Sequence, residues 1–377
     1  MKNQIVQDVL KHPTFHPFKS SVPGSLIHLG IIFALFMILL FASIWLARYL
    51  IPRFAQDIRK NTMAQVHFIN TGHGDAILIR EAGFNILIDA GGVETGVAAY
   101  LRNQRVDTIH ILLATHPHAD HIGGMPDVVG QFPVNKFIDP GITHEGIHYT
   151  NLLEMIERLD IPYLTGRKGM AWDLGRNSKL EIIHPHTTKE LSTHNASLVT
   201  KLRLGRVSFL FAADIEREAE NILLQTPGNL RSQIMKVANH GDNSSTQSAF
   251  LRAVRPELAI IMCGANGPAD LPHSHTLAKL RAAATRIYHT DEYGHIIIET
   301  DGRSYNVIIQ GKIHVMPVDL NTASLEELMR IVHIGQGRAE QIINLRPLEA
   351  IDDLLQIDGI GPRRLEDIKK QNKAMID

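Results

Sequence analysis

The sequence predicts a layered α/β sandwich with a polar site along one rim, an apolar span before it and a small helical domain after it. Three observations carry this expectation. Short apolar runs with strand-like alternation recur between helix-like stretches from about residue 64 to 309. Several of those runs end in a carboxylate or an imidazole. One of them leads into Thr115-His116-Pro117-His118-Ala119-Asp120-His121, where three histidines and an aspartate crowd together.

Composition sets the frame. The 377 residues have room for one large domain and a small one. The formal net charge of −1 gives no global basic field that would advertise nucleic acid or anionic lipid. Cys263 is the single cysteine, which excludes an intramolecular disulfide framework and a Cys-based zinc finger. Twenty-one histidines are the oddity, although His12, His16, His28 and His314 stand isolated and need no metal.

Taken in order, residues 1–25 form an N-terminal segment and 26–51 a transmembrane anchor. Leu29 to Ala47 carries no charge, and about 19 apolar residues suffice to cross a bilayer. Trp45 and Tyr49 sit near one edge, as interfacial aromatics do. The run starts late and ends in Arg48-Tyr49-Leu50-Ile51-Pro52-Arg53, which reads as an uncleaved single-pass anchor in the cell membrane rather than a signal peptide. Flanking lysines and arginines lean only marginally toward a cytoplasmic C-terminal side.

Strand patterns follow at 64–70, 76–79, 85–89, 109–114, 180–184, 197–204, 207–212, 234–237, 258–262 and 295–299. Helices are expected at 95–103, 150–159 and 215–224. Asp301-Gly302 between two alternating runs marks a hairpin. Gly123-Gly124 and Pro126 suggest a loop leading into a helix.

Imidazole and carboxylate oxygen are ligands that suit Zn²⁺ and neighbouring divalent metals. One loop at a strand end can aim His116 and His118 at one ion, and Asp120 and His121 at another. Phe209–Ala213 runs into Asp214, placed either to bridge two metals or to cap the next helix. Met235–Asn239 runs into His240-Gly241. Near the front, Gly72-His73-Gly74-Asp75 and Ile88-Asp89-Ala90-Gly91-Gly92 set carboxylates beside glycines, which let backbone approach a site closely.

Residues 63–310 resemble the metallo-β-lactamase fold, specifically the hydrolase domain of competence DNA-uptake proteins of the ComEC type. The likeness rests on residues 72–76, 87–92, 115–124, 195–199, 210–214, 239–241 and 288–294. It implies a four-layered αβ/βα sandwich binding two divalent ions, Zn²⁺ or alternatively Mn²⁺. By that resemblance His116 and His118 hold the first ion, Asp120, His121 and His240 the second, and Asp214 bridges them. Asp75, Asp89 and Asn195 support these ligands from behind. Asp120 would also orient the attacking water and take part in proton transfer.

Three departures matter. Ala213-Asp214 stands where the family has Gly-Asp, and Asn239-His240-Gly241 where it has His-His-Gly. His194-Asn195 occupies the place of a third ligand to the first ion; many members have histidine there, the competence branch often asparagine. His194 is therefore the candidate. His184, His186, His273 and His275 read as structural or surface residues, and Cys263 as a small buried one.

Residues 317–377 contain two copies of a helix, a glycine hairpin and a helix, after a Ser324-x-x-Glu327 capping box. They resemble the tandem helix-hairpin-helix module of competence DNA receptors of the ComEA type. Gly335, Gly337, Gly359 and Gly361, with Arg363 and Arg364, would meet DNA phosphates without reading bases. Yet residues 319–377 hold 11 acidic and 8 basic residues, so any basic patch must be local, at Arg363, Arg364, Lys369, Lys370 and Lys373. The expectation is a membrane-anchored, metal-dependent nuclease or phosphodiesterase acting on DNA beside the DNA-uptake machinery. The alternatives are hydrolysis of a β-lactam or small phosphodiester, and a non-catalytic DNA receptor with a degenerate site.

Overall fold

Side chains alternate across a strand, so a strand apolar at every position must be covered on both faces. The computed structural model bears this out. It describes Met37 and residues 63–175, 177–264, 271–309, 312–315, 318–371 and 373–376. The expected membrane span at 26–51 lies outside these residues, Met37 apart. Among the described residues no helix is long and apolar enough to cross a bilayer.

Two large sheets carry the sandwich, and a third, of two short strands, lies in the C-terminal domain. The first comprises β1 (Ala64–Phe68), β2 (Ile77–Glu81), β3 (Phe84–Ile88), β4 (Ile111–Leu113), β5 (Phe137–Asp139) and β6 (Tyr163–Thr165). The second comprises β7 (Ala171–Gly175), β8 (Ser178–His184), β9 (Val199–Leu204), β10 (Val207–Phe211), β11 (Ile234–Lys236), β12 (Leu258–Ile261) and β13 (Arg286–His289). The chain then returns to the first sheet with β14 (Ile296–Thr300), β15 (Tyr305–Ile309) and β16 (Lys312–Val315). Strand order is β16-β15-β14-β1-β2-β3-β4-β5-β6 in the first and β13-β12-β11-β10-β9-β8-β7 in the second.

Val66, Phe68, Ile79 and Ile88 of the first sheet meet Leu202, Phe209 and Phe211 of the second in one core between them. The intervening residues face outward onto helices. Leu78, Leu87 and Leu112 pack against Leu101, Ile122, Met125 and Leu152. Leu210, Met235 and Ile261 pack against Ala219, Leu223, Phe250 and Leu280. The layers are therefore helix, sheet, sheet, helix, as expected.

Most expected elements appear within a residue or two, and β14 and β15 pair around Asp301-Gly302. The helix near 120 begins earlier than expected, at Ala119–Ile122, and a second follows at Met125–Val129. Strands β5, β6, β7, β13 and β16 were not anticipated. They are edge or near-edge pieces: β6 is exposed throughout, so it carries no apolar alternation to read.

The C-terminal domain has its own core, including Leu328, Ile342, Leu354 and Ile368. Ser324 and Glu327 form the expected capping box. Helices Gln336–Leu345 and Pro362–Gln371 follow the two hairpins. This domain docks through Arg330, whose two terminal nitrogens donate to the Glu257 carboxylate at 2.7 and 2.6 Å. Tyr305 donates to the same carboxylate at 3.0 Å, and the guanidinium lies 5.6 Å from its ring centre.

Removing one partner of this half-buried bidentate pair leaves the other uncompensated. Arg330→Ala should cost about 2 kcal/mol, between the values for exposed and fully buried pairs. Calorimetry should show an earlier unfolding transition of the C-terminal domain, separated from that of the sandwich; one unchanged transition would refute the docking role.

Candidate metal centre

Parallel neighbours end at the same edge of a sheet. Strand β3 pairs parallel with β4, and β10 with β11, so four strand ends converge on one rim of the sandwich. Asp89 follows β3, His116 and His118 follow β4, Asp214 follows β10, and His240 follows β11. Asp120 and His121 lie in the short helix Ala119–Ile122. Gly74 is required beside them. Its φ is +119°, and a Cβ there would stand 2.0 Å from the Asp120 carbonyl oxygen.

His116, His118 and His194 form one group of converging nitrogens. His118 Nδ1 lies 2.9 Å from His116 Nε2 and 3.1 Å from His194 Nε2. Two nitrogens bound tetrahedrally to one zinc at ~2.0–2.1 Å would lie about 3.3 Å apart. Asp120, His121, Asp214 and His240 form the second group. Asp214 Oδ2 stands 3.1 Å from His121 Nε2 and 3.2 Å from His240 Nε2. The same oxygen is 3.8 Å from His116 Nε2 in the first group. Asp120 Oδ2 is 3.3 Å from His240 Nε2 and 3.7 Å from His121 Nε2. Every ligand expected from the sequence, His194 included, is thus brought to one place.

The surrounding hydrogen bonds set the tautomers. His121 Nδ1 lies 2.8 Å from Asp89 Oδ2, His240 Nδ1 is 2.8 Å from the Met262 carbonyl, and His116 Nδ1 is 3.1 Å from Thr115 Oγ1. Thr115 in turn donates its hydroxyl and its N–H to Asp89. Each outer nitrogen can donate its proton to a neighbour, which leaves the inner Nε2 with a free lone pair. His240 Nε2 is buried and makes no well-aligned hydrogen bond. This donor chemistry fits the divalent pair that the residues of such a site hold.

Charge agrees. Asp75, Asp89, Asp120 and Asp214 line the pocket, and Lys236 is its fully buried fixed cation. Burial pulls His240 down, but Asp214 and Asp120 pull it up further, to about 9. Burial likewise lowers His121, yet Asp214 and Asp89 hold it well above its usual range. On the other side burial pushes His116 well below it, and His118 is lowered for the same reason. The Asp214 side attracts positive charge, while burial favours neutral imidazole at His116 and His118.

Lys236 is the main residue that sequence reasoning missed. Its ammonium donates to the Ala213 carbonyl at 3.0 Å and to Asp214 Oδ1 at 3.3 Å, and it is ion-paired with Asp75. A signal existed: alternation along β11 puts Lys236 on the inward side with Ile234, where a lysine needs buried partners. His73 was seen but given no role; its Nε2 is 3.6 Å from Asp120 Oδ2 and its ring is 4.3 Å from that of His240. Glu216 was also missed, with Oε1 3.6 Å from His194 Nδ1.

Some expectations need correction. The Asn195 side chain does not face the imidazoles. Its oxygen accepts from the Glu216 and Ala219 N–H groups and so caps the helix Arg217–Gln225, steadying Glu216. Ala213 is less mild than a glycine replacement suggests, because it sits at φ +48°. The basic patch of the second hairpin is mostly spent. Lys369 is paired with Asp352, Lys370 with Glu366, Lys373 is buried, and Arg364 donates to the Gly359 carbonyl. Arg363 remains exposed. Gly335, Gly337 and Gly361 face open space at the starts of their helices, and Gly359 takes a left-handed φ of +75° that favours glycine. His333, in the first hairpin, also has a left-handed φ, +65°, and its Nε2 bonds Asp367 at 2.9 Å.

Residues 69–265 match the Metallo-beta-lactamase superfamily, over more than half of the chain. The chain belongs to that superfamily. Residues 315–372 match the helix-hairpin-helix motif. The chain is similar to ComE operon protein 3 of Bacillus subtilis (strain 168), with 24% identity over 62% of this chain and 32% of that protein. It is similar to Competence protein ComA of Neisseria gonorrhoeae, with 27% identity over 61% of this chain and 31% of that protein. Both relatives are competence proteins of the ComEC type. It also resembles a Deoxyribonuclease of Thioalkalivibrio sp. (strain K90mix), 50% identical over 60 residues, 16% of this chain and 17% of that one. The chain spans about a third of the length of the two competence relatives.

Two substitutions test the support of the site. Lys236→Met should strand Asp75 and Asp214 and cost about 3–5 kcal/mol, read from chemical denaturation. Ala213→Gly should relieve the left-handed backbone and add about 1 kcal/mol. A loss of stability in the glycine variant would show that φ +48° carries no strain.

Proposed function

We propose that this chain is a two-metal phosphodiesterase that cleaves DNA. The observation that carries the reading is the pair of converging donor groups joined by the Asp214 Oδ2 atom. His116, His118 and His194 would hold one divalent ion, Asp120, His121 and His240 the other, with Asp214 shared. Zn²⁺ is the ion such nitrogen-rich ligation favours, with Mn²⁺ a second choice. Bound there, the pair would supply a nucleophilic water at neutral pH and neutralise charge developing on the phosphoryl group.

The protein groups have distinct tasks. Asp120 is the only one of the four second-group donors that is substantially open to solvent, about one-third exposed at its side chain, so it faces the substrate. Its Oδ2 is placed to orient the attacking water and accept its proton. His73, 3.6 Å away, can take that proton onward. Asp89 and the Met262 carbonyl hold His121 and His240 in the tautomer that leaves Nε2 free. The substrate class is supported by the helix-hairpin-helix motif, whose exposed glycines offer backbone N–H groups to phosphate, and by the names of the relatives. Tethering both parts in one chain raises the local concentration of DNA at the site. The apolar stretch at 26–51 supports a single-pass membrane anchor, and the competence relatives support a place beside DNA-uptake machinery.

The test is DNA cleavage by the purified full chain supplied with Zn²⁺ or Mn²⁺, beside Asp120→Ala. We expect metal-dependent cleavage that falls at least 10²-fold in the variant, the scale of a lost proton-transfer group. Cleavage undiminished in Asp120→Ala would refute the assigned site. Turnover of a β-lactam with no cleavage of nucleic acid would refute the substrate, and fewer than one metal per chain after purification would favour a receptor.

A further inference from the structure

We propose that the groove between helices Ser248–Val254 and Ser274–Ala282 is a track for the phosphodiester backbone of a DNA strand, joining the metal centre to the helix-hairpin-helix domain. The strand's destination rests on the nuclease reading; the binding itself does not. The groove encloses about 1100 Å³ and is lined by Arg217, Arg252, Arg255, Lys279, His275 and Asn243 among others, with no carboxylate in its lining among the described residues. None of these four cations forms an ion pair within 4 Å among the described residues: Arg255 donates to the Arg252 carbonyl and Lys279 to the Ser245 carbonyl. Nearby acids hydrogen-bond backbone N–H groups rather than these four cations. Glu220 lies beneath, close to Lys279 and Arg217; its carboxylate accepts from the Thr246 and Gln247 N–H groups, and burial pushes it up to about 7. Asp242 also lies near Lys279 but accepts from Ser244.

The ends of the groove give it direction. Arg217 follows Glu216, which faces His194, and His275 is two residues from His273, whose N–H donates to the carbonyl of Gly241 beside His240. At the other end Pro256 precedes Glu257, the residue clamped by Arg330 of the C-terminal domain. The second hairpin has most of its own cations paired or buried, so it can seat a phosphate on its backbone but supplies little field. The groove carries the unpaired positive charge that a polyanion needs. A concave groove with no carboxylate in its described lining suits a strand better than a flat lipid surface.

The experiment uses the full chain with chelator, so that nothing is cut, and reads binding of a labelled oligothymidylate over a salt series. Arg252→Ala/Arg255→Ala should weaken binding about tenfold and flatten the log–log salt slope by about 1.4, two single-strand phosphate contacts. Arg252→Lys/Arg255→Lys should restore the slope. With metal present, the alanine pair should raise KM for DNA and leave turnover of bis(p-nitrophenyl) phosphate unchanged. An unchanged slope overturns the track, even where the wild type cleaves DNA. A flattened slope supports it, even where the wild type cleaves nothing and the nuclease reading falls. Lost binding to phosphatidylglycerol vesicles with DNA binding intact would assign the groove to a membrane surface and overturn the proposal.

Discussion

The site depends on a line of buried charge running from Asp75 through Lys236 to Asp214. A lysine fully enclosed between two sheets is costly unless its partners are fixed. Here it is satisfied by two carboxylates and the Ala213 carbonyl. That arrangement ties the loop after β1 to the ends of β10 and β11, and so fixes the two sheets against each other at the rim where function lies. It also occupies one oxygen of Asp214 and leaves the other directed at His116, His121 and His240. One carboxylate thus serves both the fold and the site.

The same rim also holds strained backbone. Asp89, Ala213, Asn239 and His240 all have positive φ, although none is glycine. Such conformations persist only where the surroundings over-determine them. Each has its restraint: Thr115 and His121 bond the Asp89 carboxylate, Lys236 holds the Ala213 carbonyl, the Asn239 N–H donates to that same carbonyl, and the Met262 carbonyl holds the His240 ring. Side chains that would otherwise follow the strand direction are turned inward toward a common point.

The contrast between what could and could not be read in the sequence follows from how each feature is encoded. Strands set in a long apolar run or an apolar alternation announce themselves, so β1 to β4 and β8 to β12 were legible; the three-residue β5 and the exposed β6 were not. Ligands that end strands were legible because imidazole and carboxylate are out of place beside Leu113 or Phe211. Support from behind was less so. Asp89 was seen because it ends a strand, but Asn195 proved to be a helix cap, and Lys236 hid inside β11 as one polar residue among apolar ones. His194 could not be decided from sequence, since its role depends on a loop folding back toward His118 across a long separation; that approach is a product of the packing of β9 beside β8.

The electrostatics of the two domains make sense only together. The hairpin module carries excess acid, and its lysines are used in holding its own helices, which leaves backbone N–H groups as its means of meeting phosphate. Neutral donors of this kind position a ligand but do not draw it from solution. Long-range attraction has to come from unpaired charge, and that charge stands on the hydrolase face at Arg217, Arg252, Arg255 and Lys279. Because Arg330 and Glu257 join the domains next to the groove, the attracting surface and the positioning surface are held in register. On the proposed reading, a module too acidic to draw DNA by itself has the missing field supplied by its neighbour.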